Sequence, residues 1–180
     1  MRYVFSLLSL LFVVDLATAQ TAYQVEEYQV AFFIKNAGIT VEGSLEGLEA
    51  EVEFHLRKPA KNRITASLDP STIQTGIKIR DKHLKRADYF DIEQYPKITF
   101  ESIGFSKTDK NELIGTFLLT IKGIEEEVEM PITYTNASDK LTLSGSFILN
   151  RLHFDLGDNS IILSDDVEVQ LHAQLARLDS

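Results

Sequence analysis

Most of this chain alternates apolar and polar residues with a period of two, in run after run separated by short turn signals. That pattern allows few folds. Ala50, Val52, Phe54 and Leu56 stand against Glu51, Glu53, His55 and Arg57. Leu113, Gly115, Phe117, Leu119 and Ile121 form a longer run, closed by Lys122-Gly123. Val128, Met130, Ile132 and Tyr134 follow, then Leu141 to Leu149, then Val167 to Leu175. Successive side chains of a strand point to opposite faces, so each run reads as a strand with one buried side. Val30, Phe32 and Ile34 open the series, with a bend at Asn36-Ala37-Gly38 and a short resumption over Ile39-Thr40-Val41. Gly43–Gly47 reads as a turn region, and Ile64, Ala66 and Leu68 continue the inward face after a turn at Pro59–Asn62. Roughly eight such strands need a partner layer, which a closed antiparallel barrel or a sandwich supplies. Gly115 and Gly145 sit among large inward residues, where they mark bends or leave space inside. An eight-stranded barrel is just wide enough to hold one small ligand.

The first nineteen residues stand apart from this pattern. Arg2 supplies a positive start, Val4–Val14 an apolar run, and Ala17-Thr18-Ala19 a small-residue cleavage site. The run is short for a bilayer span, which takes about 20 apolar residues. It is read as a signal peptide over residues 1–19, with the domain over 20–180. The expected location is the periplasm or the exterior, after cleavage near Ala19-Gln20. The chain has no cysteine, so a lipidated cysteine anchor, disulfides and thiolate metal sites are all excluded. A net charge of −9 disfavours nucleic acid, whose phosphates it would repel.

Between Ser71 and Ser102 the alternation lapses, and charge and aromatics concentrate. Asp81 is placed to cap a short helix over Lys82–Ala87, with Leu84 and Ala87 facing the barrel, and Tyr89 and Phe90 following as a bulky pair. Lys78, Arg80, Lys82, Lys85 and Arg86 put five cations in nine positions. That fits an anionic headgroup site, and it equally fits a solvated helix face. His83 lies two residues from Asp81, a spacing that does not bring side chains together on a helix. His55, His153 and His172 are scattered and show no metal-ligand spacing. The Asp165-Asp166 pair and the Glu125–Glu127 run read as turn and strand-edge charge. Phe32, Ile34, Phe54, Phe100, Phe117 and Phe147 are inward residues that would line a cavity or fill a solid core, and both demand the same residue types.

Four stretches of this segment carry a family resemblance: Ser71 to Gly76, Arg80-Asp81-Lys82-His83-Leu84, Asp88-Tyr89-Phe90-Asp91, and Tyr95 to Ser102. Together with Gly115 to Ile124, and with Asn150-Arg151, Asp155-Leu156-Gly157 and Ser164 to Val167, they resemble the YceI-like family of polyisoprenoid-binding proteins. The similarity covers most of the domain. One departure stands at the start, where the family commonly has a His-Ser pair and this chain has Tyr28-Gln29.

The resemblance implies an all-β, lipocalin-like, extended eight-stranded antiparallel barrel with a short helical segment near 81–89, often in a dimer. It implies a carrier of an isoprenoid-tailed lipid, of quinone or polyprenyl phosphate type, with no cofactor, no metal and no catalysis. The site candidates are then the six inward residues above, with Arg80, Asp81, His83, Leu84 and Phe90 from the segment that would close one end. Transient contact with a membrane or lipid donor goes with such a role. Two alternatives stand beside it: an enzyme using Asp81 and His83 on an amphiphile in the same cavity, and a stress-response interaction module with a filled barrel.

Overall fold

The computed structural model describes residues 22–137 and 139–178; the expected signal segment, residues 1–19, lies outside them. Eight strands close into one antiparallel barrel in sequence order, with β8 returning to pair with β1. They are β1 (Ala22–Asn36), β2 (Ile39–Glu53), β3 (Arg63–Gln74), β4 (Ile98–Asp109), β5 (Glu112–Ile121), β6 (Ile124–Ala137), β7 (Lys140–Asn150) and β8 (Leu163–Arg177). A single short helix, α1 (Lys78–Leu84), lies between β3 and β4. Closure removes the exposed edges that an open sheet would present. In β5 the alternation is fully expressed: Leu113, Gly115, Phe117, Leu119 and Ile121 are buried and the residues between them are only partly so.

The barrel has two unlike ends. At one, short turns join β4 to β5 and β6 to β7, and a 3-10 turn at Pro59–Lys61 leads into β3. Tyr23, Val52, Phe54, Leu113, Tyr134, Leu141 and Leu175 fill that end. Phe54 meets Tyr134 edge to face with centroids 5.4 Å apart, and the Tyr134 hydroxyl donates to the Lys110 carbonyl at 3.0 Å. At the other end lie the β1–β2 and β5–β6 turns and two long connections, β3 to β4 and β7 to β8.

Gly43–Gly47 is not a turn, because β2 runs straight through it. Gly43 pairs with Phe32, whose ring occupies the space where a Cβ would stand. Gly47, at φ +75, sits where the β2–β3 register shifts, and the Thr72 hydroxyl bridges this bulge by accepting from the Glu46 amide at 2.8 Å and donating to the Asp69 carbonyl at 2.6 Å. Glycines that look like turn punctuation here serve a bulge and a ring contact. Gly115 and Gly145 likewise make room for protein side chains, those of Phe117 and Met130.

The helix also begins earlier than its sequence signals suggest. Gly76, at φ +79, turns the chain from β3 directly into α1, whose N-cap is Ile77 with no side-chain cap. Asp81 therefore lies inside the first turn. Its carboxylate reaches back to accept from the Thr75 amide at 2.8 Å and from the Thr75 hydroxyl. Ala87 is exposed and does not face the barrel.

Candidate functional site

Above the filled end the barrel is hollow. A cavity of about 440 Å³ runs from the barrel's middle to the connection-rich end, within the range of small-ligand sites. Phe32, Ile34, Phe100, Phe117 and Phe147 line it from the strands, and Arg80, His83, Leu84 and Phe90 line it from the β3–β4 connection. Phe54 does not reach it; that ring belongs to the filled end and is 1% exposed. Asp81 does not reach it either, being turned to Thr75. Phe100 stacks on Phe117 with centroids 4.1 Å apart and faces Phe147 at 5.9 Å, forming an aromatic wall on one side. Leu45, Met130, Val169 and Leu171 are among the other residues of the lining. Their inward parity was legible from the alternation, but parity alone does not tell a lining residue from a filling one.

The β3–β4 connection forms a cap over this cavity. Past α1 it is wound by short-range backbone bonds: Phe90 amide to Leu84 carbonyl at 3.0 Å, Asp91 amide to Arg86 carbonyl at 2.9 Å, and Tyr95 amide to Asp91 carbonyl at 2.8 Å. It docks through two tyrosines on two glycines. Tyr95 packs on Gly123 of the β5–β6 turn, and Tyr89 packs on Gly157 of the β7–β8 connection. A Cβ at Gly157 would stand 2.7 Å from the Tyr89 ring, and Gly157 also has φ +70, so side chain and backbone both demand glycine. The Gly157 amide donates to the Asp88 carbonyl at 2.8 Å, the one backbone bond between these two connections.

Arg151 organises the floor beneath that dock. It is 2% exposed, and its guanidinium donates to the Ser164 carbonyl at 2.9 Å, to the Leu156 carbonyl at 2.8 Å, and to the Asp165 carboxylate at 3.0 Å. Five donors in a fixed fork suit an arginine to tie the β7–β8 connection at Leu156 to the start of β8 at Ser164 and Asp165. In the sequence Arg151 stands only as part of the Asn150-Arg151 motif, and Asp155 and Gly157 a few residues on are the signal that this stretch is structured.

Polar groups at the cap are paired differently from the spacing in the chain. His83 Nε2 lies 2.6 Å from Asp88 Oδ2, and its ring meets Tyr89 edge to face at 5.1 Å. The hydrogen bond with His83 holds the Asp88 carboxyl below the ordinary carboxylate range. An Asp81–His83 couple is thus not formed, since each has a different partner. Arg80 is half-buried; its Nε donates to the Thr75 hydroxyl and its Nη2 to the Thr75 carbonyl, both at 2.6 Å. The guanidinium is thereby held at the cavity wall while keeping donors unused by any described residue.

The wall has one irregular stretch. β1 and β2 pair at Tyr23–Val52 and again from Val30–Leu45, but have no pairs between. Val25, Tyr28, Leu48 and Ala50 of that stretch line the cavity. The Tyr28 hydroxyl closes it by accepting from the Gly47 amide at 3.0 Å and the Leu48 amide at 3.2 Å. Tyr28 stands where the resembled family carries a histidine, and here it works as a bridge across the wall.

Known proteins share this sequence and architecture. The YceI-like domain pattern matches residues 15–175. The UPF0312 protein SA2479 of Staphylococcus aureus is 29% identical over 160 residues, covering 81% of this chain and 90% of that protein. The crystal structure of BcnA from Burkholderia cenocepacia superposes with a TM-score of 0.81 at 26% identity, over 84% of this chain and 99% of that one. A polyisoprenoid binding domain from Saccharophagus degradans, implicated in plant cell wall breakdown, shares the fold with a TM-score of 0.69 at 10% identity, over 88% and 99%.

Proposed function

This chain belongs to the YceI-like family, and on that premise we propose that it is an exported carrier of an isoprenoid-tailed amphiphile. The observation that carries the proposal is the apolar cavity beneath the cap, with Arg80 and His83 at its capped end. A polyisoprenoid-binding structural neighbour supports a lipid as the occupant. Binding, rather than catalysis, suits a lining that is almost wholly apolar, and the enzyme reading loses the Asp81–His83 couple on which it relied. A filled barrel, the other alternative, does not fit a cavity of this size.

Magnitudes constrain the ligand. An apolar cavity of about 150 Å³ holds one benzene, so about 440 Å³ accommodates on the order of eighteen carbons, or three to four isoprene units. Burial of a methylene contributes about 0.8 kcal/mol relative to water. Relative to a bilayer it contributes almost nothing, because acyl chains are equally apolar. Loading from a membrane is therefore near balance, and the polar end of the ligand decides it. A headgroup with acceptor oxygens would meet the unused donors of Arg80, while a quinone or phosphate would present such oxygens. Export, pairing with a second copy and exchange with a membrane or donor protein complete the reading.

Organic extraction of protein purified from its native host, followed by mass spectrometry, tests the carrier role. The expected result is an isoprenoid lipid in stoichiometric amount. Protein that yields no lipid, and takes up neither a short-chain quinone nor a polyprenyl phosphate in vitro, would sink it. Arg80→Gln should weaken uptake of the phosphate more than that of the quinone, which measures the guanidinium's part.

A further inference from the structure

The cavity's capped end carries an unusual surface. Ile39, Ile77, Ile79, Ile161 and Ile162 are between 53% and 103% exposed; Ile39 opens β2 just after the β1–β2 turn, and the other four belong to the long connections of that end. The opposite end shows only Leu178 among exposed large aliphatics of the described residues, and Ile103 and Ile148 stand singly on the outer wall. The isoleucines come from three separate segments: the β1–β2 turn, the start of the cap, and the β7–β8 connection. The Ala37 amide donates to the Ile162 carbonyl at 2.6 Å, joining the first segment to the third. Each segment also places a cavity-lining residue beside its isoleucines: Asn36 before Ile39, Arg80 after Ile79, and Leu163 after Ile162. The exposed side chains therefore rim the same space that the cavity opens toward.

Charge is biased over one part of this end, where Lys78 to Arg86 sets five cations against Asp81 alone. Lys78, Lys82 and Lys85 of the cap form no ion pair with any described residue, although the chain as a whole is at −9. Acids also stand on this end, Asp88, Asp91 and Glu93 later in the cap and Asp155 and Asp158 in the β7–β8 connection, so the cationic excess is local to α1 and the residues just after it. Aliphatic tips interleaved with lysines, as Ile77 and Ile79 are with Lys78 and Lys82, suit a fluid, anionic surface. Protein partners instead select aromatic and arginine anchors seated in shaped pockets. A bilayer needs no such shape, because protruding apolar side chains enter the headgroup boundary and cations meet the anionic lipids.

We propose that this end is a membrane-docking face, which sets the cavity mouth against a lipid bilayer bearing anionic headgroups. The proposal rests on the carrier reading for its purpose, not for its evidence. On docking, Ile77, Ile79, Ile161 and Ile162 would enter the boundary while Lys78 and Lys82 meet phosphates. The tail would then pass between bilayer and cavity without crossing water. Gly76, at φ +79, stands directly before the cap and is the natural pivot for that passage.

Flotation with vesicles of the exported protein, cleaved near Ala19-Gln20, tests it, using phosphatidylethanolamine with phosphatidylglycerol in one set and phosphatidylcholine alone in the other. Wild-type protein should float with the anionic set and dissociate as salt rises. The triple variant Ile77→Ser, Ile79→Ser, Ile161→Ser should lose about tenfold in partitioning, while the wall variant Ile103→Ser, Ile148→Ser should match wild type. Uptake of a short-chain quinone from detergent solution, measured in parallel, keeps the two readings separate. Protein that floats but takes up no tail sustains the face and strikes the carrier role. No flotation by wild type, or equal loss in the wall variant, would overturn the face. So would a triple variant that floats normally but turns a dimer into a monomer in sedimentation, which would assign the isoleucines to a second copy.

Discussion

The two ends of the barrel solve the same closure problem by different means. At the β4–β5 end, side chains from the strands meet directly: Phe54, Tyr134 and Leu141 pack together, and Leu175 and Val52 of the same cluster form the cavity's floor. At the capped end, a separate length of chain is laid across the opening. It is held by two tyrosine–glycine contacts, the partly buried Tyr89 and Phe90 against the barrel core, one backbone bond to the β7–β8 connection, and a handful of polar pairs. Direct packing of large apolar side chains is dense and costly to undo. A docked segment with few buried contacts opens at lower free energy than the barrel itself. The difference teaches which end could exchange a ligand and which end keeps the fold.

Deleting the aromatic at the filled end should have the largest effect. Phe54→Ala should lower stability by about 3–5 kcal/mol, as for other fully buried rings, read by urea titration with an unchanged slope. Its effect on tail uptake should be slight. A small stability loss with a large gain in uptake would break the contrast between the ends. Phe100→Ala removes a ring that already borders empty space, so it should cost less, about 2 kcal/mol, because part of the cavity term is absent at the start. It should instead change which tail lengths are retained, measured by mass spectrometry of bound lipids.

Gly157→Ala sharpens the contrast further. Strain at positive φ and the clash with Tyr89 should cost about 1–2 kcal/mol in all. The loss should fall on the cap: amides of residues 77–95 should exchange hydrogen faster while those of β5 and β6 stay protected. Uniform acceleration across the barrel would show that the cap and the strands open as one unit.

The smallest effect concerns the His83–Asp88 pair. The folded-state carboxyl of Asp88 is depressed, so its contribution to stability is present above the unfolded value near 4 and is lost as pH falls through the folded value. Wild type should melt slightly above Asp88→Asn at neutral pH, and the difference should vanish in acid. Because both groups are about half exposed, the effect should also shrink with salt. A difference that grows in acid would mean the pair does not hold the cap in this way.

Much of this molecule could be read from its residues. Alternation from Leu113 to Ile121 named the inward face of β5, and the lapse between Ser71 and Ser102 located the cap. Where reading failed, glycine was usually the cause. Gly43 and Gly47 look like a turn, yet φ alone is what sequence suggests, and only a neighbouring strand decides whether glycine bends the chain or admits the Phe32 ring. Asp81 was assigned as a cap because it precedes a helical pattern; Gly76 started the helix sooner and left that carboxylate to Thr75.

Period-two alternation and the number of turns determined strands, their inward faces and an all-β architecture, since these depend on local geometry and on hiding apolar surface. The same family motifs marked the cap, the β5–β6 turn and the Arg151 loop as a set. Tertiary structure alone decided that the strands close on each other, that Phe54 fills while Phe100 lines, and that His83 pairs with Asp88. An inward phenylalanine satisfies the hydrophobic demand equally well against another ring or against a cavity. What separates the two is how much volume the other seven strands leave, which no single strand encodes.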